Sequence, residues 1–196
     1  MTEDIKPVAP LRVRRKNERR LFTPQEEEQI RETYAYDPET GVFTWKKCKK
    51  RSRMKIGDVA GSMVPNGFGA NYWQLFFNNT SLRAHRVAFF LMKGRWPLPG
   101  MEIDHRDNNP LNNKFDNLRE ATKTQNIANR KKYINNKSGY KGVTFYGKRK
   151  ARKPFQAHIK TDGRNYSLGT YFTAQEASEA YLSAALFLHG EFANLD

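Results

Sequence analysis

Three side chains near the middle of the sequence combine oxygens that bind hard cations with a group that exchanges protons. Asp104 and His105 are adjacent, and Asn126 follows Asp104 by twenty-two residues. Carboxylate and amide oxygens suit Mg²⁺ or Mn²⁺, which keep several waters and leave positions open for a phosphate. Imidazole changes charge near neutral pH, so a histidine beside such a site could take part in its chemistry.

These three residues need elements that bring them together. Met101 to His105 has the pattern of a short strand, a loop rich in Asn and Asp follows, and residues 117–121 form a returning strand. Thr122 then caps a helix that runs to about Lys132. A strand end and a first helical turn can place Asp104 and Asn126 on one cation. His105 points to the opposite strand face from Asp104, so we expect the chain to bend there.

Simpler interpretations exist for each candidate. An isolated Asp-His pair is more often a surface turn or a hydrogen-bonded core histidine than a catalytic pair. His85 on a helix is better explained by packing or hydrogen bonding than as a second base. Asp107 suits a loop turn, and His189 near a helix C-terminus is explained by a favourable interaction with the helix dipole.

The order and spacing of the motifs resemble the HNH endonucleases of the phage and homing type, which carry a ββα-metal motif. His105 and Asn117 are twelve residues apart, which agrees with that type. The matching segments are Ile103-Asp104-His105, Asp116-Asn117-Leu118-Arg119 and Gln125-Asn126.

The resemblance implies a role for each matching residue. His105 would be the general base that activates water. Asp104 and Asn126 would hold one divalent metal ion, Mg²⁺ or Mn²⁺, which bridges the scissile phosphate and the leaving 3′ oxygen. Asn117 would span the loop and orient His105. The family's final histidine is Asn126 here, which favours a hard metal over zinc.

Short elements precede this region. Thr23, Pro24 and Glu26 form a capping box that opens a helix ending near Tyr34. Residues 36–45 indicate a β-hairpin, residues 72–77 a strand, and residues 84–93 a helix that Gly94 ends.

The pattern changes after a linker at residues 135–139. Strands are expected near residues 141–145, 155–160 and 165–169, followed by an amphipathic helix over residues 174–189. Ala157 and Ile159 face that helix, and Tyr166 and Leu168 likewise face inward. The stretch from Gly139 to Ala185 resembles an AP2 DNA-binding domain, which lays a three-stranded antiparallel sheet backed by one helix into the major groove.

The resemblance places a set of polar and basic residues against DNA. The basic members would hold phosphates, and the outer sheet face would meet the groove. On the C-terminal module they are Lys141, Thr144, Lys148, Arg149, Lys150, Arg152, Lys153, Gln156, His158, Lys160, Asn165 and Ser167. Two further basic runs supply Lys46, Lys47, Lys49, Lys50 and Arg51, and Arg130, Lys131 and Lys132.

Composition supports a polyanionic partner. The 196 residues carry a formal net charge of +15, and residues 1–20 form a basic arm with few apolar residues. Nothing in the sequence has the length of a membrane span or the pattern of a secretory signal. Cys48 is the only cysteine, which excludes an internal disulfide and a cysteine-based zinc site.

The sequence therefore predicts an α+β protein in three parts: a basic arm and capped helix (1–33), an HNH nuclease domain (34–134) and an AP2-like DNA-binding domain (135–196). The expected activity is metal-dependent nicking of one strand of double-stranded DNA. We expect no small-molecule cofactor and no membrane, a monomer or weak homodimer, and a phage-encoded protein in a bacterial cytoplasm. Removal of residues after Asn136 should leave slow, poorly targeted nicking. The alternatives are a non-catalytic, sequence-specific DNA-binding regulator that retains the HNH scaffold, and an RNA-binding protein.

Overall fold

A computed structural model of the chain describes residues 21–48, 53–65, 70–147 and 152–195. The expected basic arm at residues 1–20 lies outside these ranges. So do six of the DNA-binding candidates, namely Lys49, Lys50, Arg51, Lys148, Arg149 and Lys150.

The described residues form a mixed α+β fold of small antiparallel sheets and helices, in agreement with the expected fold class. The helices are α1 (Pro24–Thr33), α2 (Ala84–Lys93), α3 (Lys123–Asn129) and α4 (Ala174–His189). The strands are β1 (Tyr34–Tyr36), β2 (Phe43–Trp45), β3 (Ser62–Pro65), β4 (Asn71–Phe77), β5 (Thr80–Arg83), β6 (Glu102–His105), β7 (Leu118–Ala121), β8 (Val143–Phe145), β9 (Phe155–Thr161) and β10 (Arg164–Tyr171).

The N-terminal half has one hydrophobic core. The predicted capping box is present, since Thr23 accepts from the Glu26 amide and the Glu26 carboxylate accepts from the Thr23 amide. Strands β1 and β2 pair as a hairpin, β3, β4 and β5 form an antiparallel sheet, and α2 packs against that sheet. The predicted end of α2 is confirmed, because Gly94 caps it in the left-handed conformation.

The predicted order of strand, loop, strand and helix is also present. Strands β6 and β7 pair antiparallel, with Asp104 opposite Arg119 and His105 opposite Leu118. Ile103 and Leu118 belong to the same core as α2, so the strand pair is anchored beside that helix.

The predicted length of the third helix was wrong, because α3 ends at Asn129 and not near Lys132. Its last carbonyls have partners from elsewhere in the chain: the Lys141 ammonium donates to the carbonyl of Ala128, and the Asn194 amide donates to that of Asn129. These bonds satisfy the end of the helix, and Arg130 continues in an extended conformation.

The C-terminal part is an antiparallel sheet in the order β10-β9-β8 with α4 packed against it. Ala157 and Ile159 are buried under α4 as expected, and Leu168 packs beside them. Tyr166 lies opposite the buried Ile159 and so shares its inward face as expected, but on the edge strand β10 it stays 45% exposed. Within the described residues, no helix has the length and apolar character needed to cross a membrane.

Candidate active site

A cleft of about 770 Å³ lies between two groups of elements, with β4, β5 and the start of α2 on one side and β6 and α3 on the other. Asp104, His105 and Asn126, the predicted site residues, all line it. Glu102, His85 and Arg86 line the same cleft. The candidate residues therefore share one concave surface although they come from different elements.

Asp104 is held by two buried neighbours. The Arg119 Nε donates to its Oδ2 at 3.0 Å, directly across the strand pair. The Asn129 amide nitrogen donates to both carboxylate oxygens at 3.0 Å and to the His105 backbone carbonyl at 2.8 Å. These charge-assisted bonds fix the orientation of a carboxylate that is only 5% exposed.

Asn126 lies one turn before Asn129 on the same helix and has a different neighbour. Its amide nitrogen donates to the Glu102 carboxylate at 2.5 Å, so its amide oxygen points away from Glu102. Glu102 and Asp104 are two residues apart on β6 and share a strand face. Two carboxylates and an amide oxygen thus lie along one wall of the cleft.

His105 is buried at the end of β6 and is oriented by Asn113. The two side chains meet at 3.3 Å between Nε2 of His105 and Oδ1 of Asn113. An amide oxygen can only accept, so this bond favours the tautomer protonated at Nε2 and leaves the lone pair on Nδ1. Burial lowers the pKa of His105 below its ordinary value, although Asn113, Asp107 and Asp104 oppose that shift. The imidazole is therefore neutral at pH 7, the form in which Nδ1 can accept a proton.

Asn113 is itself positioned by the N-terminal hairpin. Its backbone carbonyl accepts from the Tyr36 hydroxyl at 2.6 Å, and burial of that tyrosine raises its pKa above the usual value. Gly41, in the turn of the hairpin, has a φ of +75°, and a Cβ added there would lie 2.5 Å from the Asn113 carbonyl carbon. A glycine at this position allows the turn to pack directly on the loop that carries Asn113.

Asn117 spans the loop between the two strands through bonds to Asp107 and Asn112. Its amide nitrogen donates to the Asp107 carboxylate at 2.9 Å and to the Asn112 carbonyl at 2.8 Å, while its amide oxygen accepts from the Asp107 backbone at 3.0 Å. Burial would raise the pKa of Asp107, but hydrogen bonds, including that from Asn117, hold it below the ordinary value. These contacts fix the shape of the loop, and it is Asn113 that contacts the His105 ring.

Basic side chains line the cleft near these groups. Arg83 and Arg86 come from β5 and α2, and Arg130 follows α3. The Arg83 guanidinium lies 3.5 Å from the Tyr72 ring centroid, which fixes its direction. Such groups can hold phosphates next to the carboxylates.

The candidates on the C-terminal sheet lie close together across the strands. Gln156 lies opposite Thr144 and contacts Ser167 at 3.2 Å, and the Thr144 hydroxyl lies 3.5 Å from the ring of His158. Lys160 pairs with Asn165 in register. We call these six residues the polar sheet face, and its role in binding DNA stays a prediction.

A second cleft of about 510 Å³ joins this face to the end of α3. It is lined by Arg130, Lys131, Lys132 and Lys160, among others. Arg130 also lines the first cleft, so the two basic surfaces are continuous at that residue.

Some basic candidates make contacts within the protein. The Lys141 ammonium binds the carbonyls of Ala128 and Asn194, so it bridges the end of α3 and the segment after α4. Lys46 donates to the Arg31 carbonyl at 3.0 Å, and Lys47 forms an exposed ion pair with Glu32. Arg152 and Lys153 are exposed, and the Lys153 ammonium lies 5.1 Å from the Phe172 ring centroid.

Sequence reasoning missed four residues of the site. Asn129 lies three residues after Asn126, and helical spacing alone puts both on one side of α3. Glu102 lies two residues before Asp104, so strand alternation could have identified it. Asn113 and Arg119 carry no such signal, because their roles depend on contacts that the fold creates.

The donor set fits a hard divalent cation by its chemistry. Glu102, Asp104 and Asn126 offer oxygen ligands only, which is the set that Mg²⁺ and Mn²⁺ prefer. Within the ranges that the structure describes, no three His, Cys, Asp or Glu side chains cluster as a metal-binding group by themselves.

Comparisons with known proteins identify an endonuclease family over part of the chain. Residues 82–128 match the family described as HNH endonuclease, and this stretch runs from within β5 through α2, β6 and β7 to the last turn of α3. Protein 3.8 of Escherichia phage T7 is 34% identical over 98 residues, which cover 50% of this chain and 78% of that protein. An Acanthamoeba polyphaga mimivirus protein named as an uncharacterized HNH endonuclease is 29% identical over 126 residues, which cover 64% of this chain and 63% of that protein. No solved structure matches the chain significantly.

Proposed function

We propose, from the premise that this chain belongs to the HNH endonuclease family, that it is a metal-dependent DNA endonuclease that nicks one strand of a duplex at each site. The observation that carries the proposal is the cleft that joins Asp104, His105 and Asn126. We assign residues 34–134 to the nuclease and residues 135–196 to a DNA-binding module of the AP2 type. The two parts have separate hydrophobic clusters, which supports that division.

The metal ion would be held by Asp104 and Asn126, with Glu102 beside them. When bound there, a divalent cation supplies positive charge that offsets the charge developing on the leaving oxygen. The chain contributes the orientation of these ligands. Arg119 and Asn129 fix the Asp104 carboxylate before any substrate arrives, so little reorganisation is needed during the reaction.

His105 would act as the general base. Its Nδ1 accepts a proton from a water molecule, and the water oxygen forms a bond to phosphorus as the bond from phosphorus to the 3′ oxygen breaks. The products are a 5′-phosphate and a 3′ oxygen that takes a proton from solvent. Asn113 holds the ring in the tautomer that this transfer requires.

The path of the duplex follows the two basic surfaces. Arg83 and Arg86 would hold the strand that is cut, on the wall of the cleft that faces the carboxylates. Arg130 leads from this cleft to Lys131, Lys132 and the polar sheet face. Phosphate contacts of this kind give affinity and position without reading sequence, and the polar sheet face would supply base contacts.

A second function is favoured by one observation. The Asp104 carboxylate already has two strong partners, Arg119 and Asn129, and is nearly buried. A carboxylate satisfied in this way could be structural. The chain would then be a non-catalytic, sequence-specific DNA-binding regulator that retains the HNH scaffold.

Metal-dependent cleavage separates the two functions. Supercoiled plasmid is incubated with the full-length protein and Mg²⁺ or Mn²⁺, and nicked circles are measured over time. We expect nicking that EDTA stops, and His105→Ala should abolish it while DNA binding persists. Phe187→Ala is the control, because this side chain is 89% exposed on α4, lines neither cleft and should leave the nicking rate unchanged. Equal nicking by wild type and His105→Ala would contradict the mechanism, and absence of cleavage with every divalent ion would favour the regulator.

A further inference from the structure

Residues 190–195 lie against the strand pair of β6 and β7. After α4, a 3₁₀ turn covers Gly190–Phe192 and the chain continues past Asn194. We call residues 190–195 the C-terminal segment. Its Glu191 carboxylate accepts from Arg106 at 2.9 Å, and Arg106 directly follows His105. A segment at the end of the proposed DNA-binding module therefore contacts the nuclease part.

The main contact is with Arg119, the residue that orients Asp104. Its Nη1 donates to the Glu191 backbone carbonyl at 2.8 Å, and its guanidinium carbon lies 3.8 Å from the Phe192 ring centroid. The Arg119 side chain is only 7% exposed. A buried guanidinium needs partners on several sides, and the C-terminal segment supplies both the carbonyl and the aromatic face.

These contacts determine where the Arg119 Nε points. A guanidinium is planar, so fixing Nη1 by a carbonyl and one face by a ring leaves Nε a single direction. That direction is the 3.0 Å bond to Oδ2 of Asp104. The position of the catalytic carboxylate thus depends on residues 190–192.

The same segment holds the end of α3, the helix that carries Asn126. The Asn194 amide donates to the Asn129 carbonyl at 2.9 Å, and its backbone N–H donates to the Ala128 carbonyl. Lys141 links the carbonyls of Ala128 and Asn194. The C-terminal segment therefore supports both β6 and α3, the two elements that carry candidate metal ligands.

We propose that the C-terminal segment is a positioning element of the nuclease site, with Phe192 as its central residue. This inference rests on the proposed nuclease function. The DNA-binding module and the nuclease are then coupled parts of one unit, because docking of the end of the module sets the geometry of Asp104. The nuclease part alone would lack this brace, so truncation after Asn136 should lose far more activity than the slow nicking expected from the sequence.

The test compares substitutions at Phe192 with one at Phe187, in the full-length protein. Phe187 lies on α4 and is 89% exposed, whereas Phe192 is 8% exposed, so Phe187→Ala controls for loss of an aromatic ring. Phe192→Leu keeps most of the volume but removes the aromatic face, and Phe192→Tyr keeps that face. Plasmid nicking is measured at saturating DNA, and DNA affinity is measured separately in EDTA.

We expect Phe192→Leu to lower the nicking rate about 10- to 100-fold, the range typical of groups that orient metal ligands, with unchanged DNA affinity. Phe192→Tyr should restore the rate, and Phe187→Ala should match wild type. Wild-type nicking by a folded Phe192→Leu protein would overturn the inference.

A second measurement does not depend on cleavage. The thermal unfolding of Asp104→Asn, Phe192→Leu and the double variant is compared in EDTA. Coupling through Arg119 predicts that the two losses of stability do not add. Additive losses would overturn the inference even if the wild type fails to nick, and failure of the wild type to nick would count against the proposed function alone.

Discussion

The two asparagines of α3 allow a sharp test of how the Asp104 carboxylate is held. Asn126 and Asn129 are one turn apart, and alanine, which has the higher helix propensity, can replace either of them. The Asn129 amide is 4% exposed and serves three acceptors, the two oxygens of Asp104 and the carbonyl of His105. The Asn126 amide is half-buried and serves Glu102.

The magnitudes follow from these partners. A hydrogen bond to a charged group contributes about 1.5–3 kcal/mol, and leaving a buried acceptor unsatisfied adds a penalty, so Asn129→Ala should lower the free energy of unfolding by about 2–4 kcal/mol. In a chain of this length that corresponds to a melting temperature roughly 5–15 °C lower. Asn126→Ala removes one partly exposed bond and should cost at most about 1.5 kcal/mol.

Thermal unfolding in EDTA measures this difference without any metal ion, and plasmid nicking with Mn²⁺ completes the comparison. We expect Asn126→Ala to unfold near the wild-type temperature and to lose nicking, because it removes a proposed metal ligand. Asn129→Ala should lose stability as well as nicking. Equal unfolding temperatures for the two variants would show that Asn129 does not hold the Asp104 carboxylate.

Three further predictions concern the elements around the site. Asn113→Ala should lower the nicking rate about 10- to 100-fold at unchanged DNA affinity, because His105 loses the partner that sets its tautomer. A nicking rate equal to that of wild type would exclude this role for Asn113. Gly41→Ala should destabilise the fold by more than the roughly 1–2 kcal/mol cost of the left-handed conformation, because the added Cβ also meets the Asn113 backbone. Urea unfolding measures this loss, and an unchanged unfolding midpoint would contradict the prediction. Hydrogen bonds from Arg95 hold the pKa of Glu120 below its ordinary value of 4.5. The pair therefore stabilises the fold fully above about pH 4.5, and this contribution is lost as the pH falls through the lowered pKa of the folded state. Arg95→Met should remove that contribution, so the melting temperatures at pH 6 and pH 3.5 should differ less than in wild type.

The sequence predicted most of the local structure because local chemistry determines it. The capping box at Thr23, the glycine that ends α2 and the strand-loop-strand-helix order were all confirmed. It also identified three residues that share the cleft, since strand and helix geometry suffices to bring Asp104 near Asn126.

The rest depended on contacts between distant parts of the chain. Asn113 orients His105 only because the turn at Gly41, far earlier in the sequence, packs on its backbone. The end of α3 was misplaced because a lysine and an asparagine from the C-terminal part satisfy its carbonyls. No pattern within the motif itself indicates either contact.

The charges around Asp104 explain why such remote support is needed. The carboxylate is nearly buried, so its negative charge is costly unless a cation lies close by, and Arg119 provides that cation in the absence of metal. Yet a strongly bound arginine would compete with a divalent ion for the same carboxylate. The Glu191 carbonyl binds Nη1 and the Phe192 ring covers one face of the guanidinium, so Arg119 contacts Asp104 through Nε. This arrangement weakens the competition between arginine and metal. The carboxylate is then held in place before metal binds, and among the described residues its other oxygen, Oδ1, accepts from the neutral amide of Asn129.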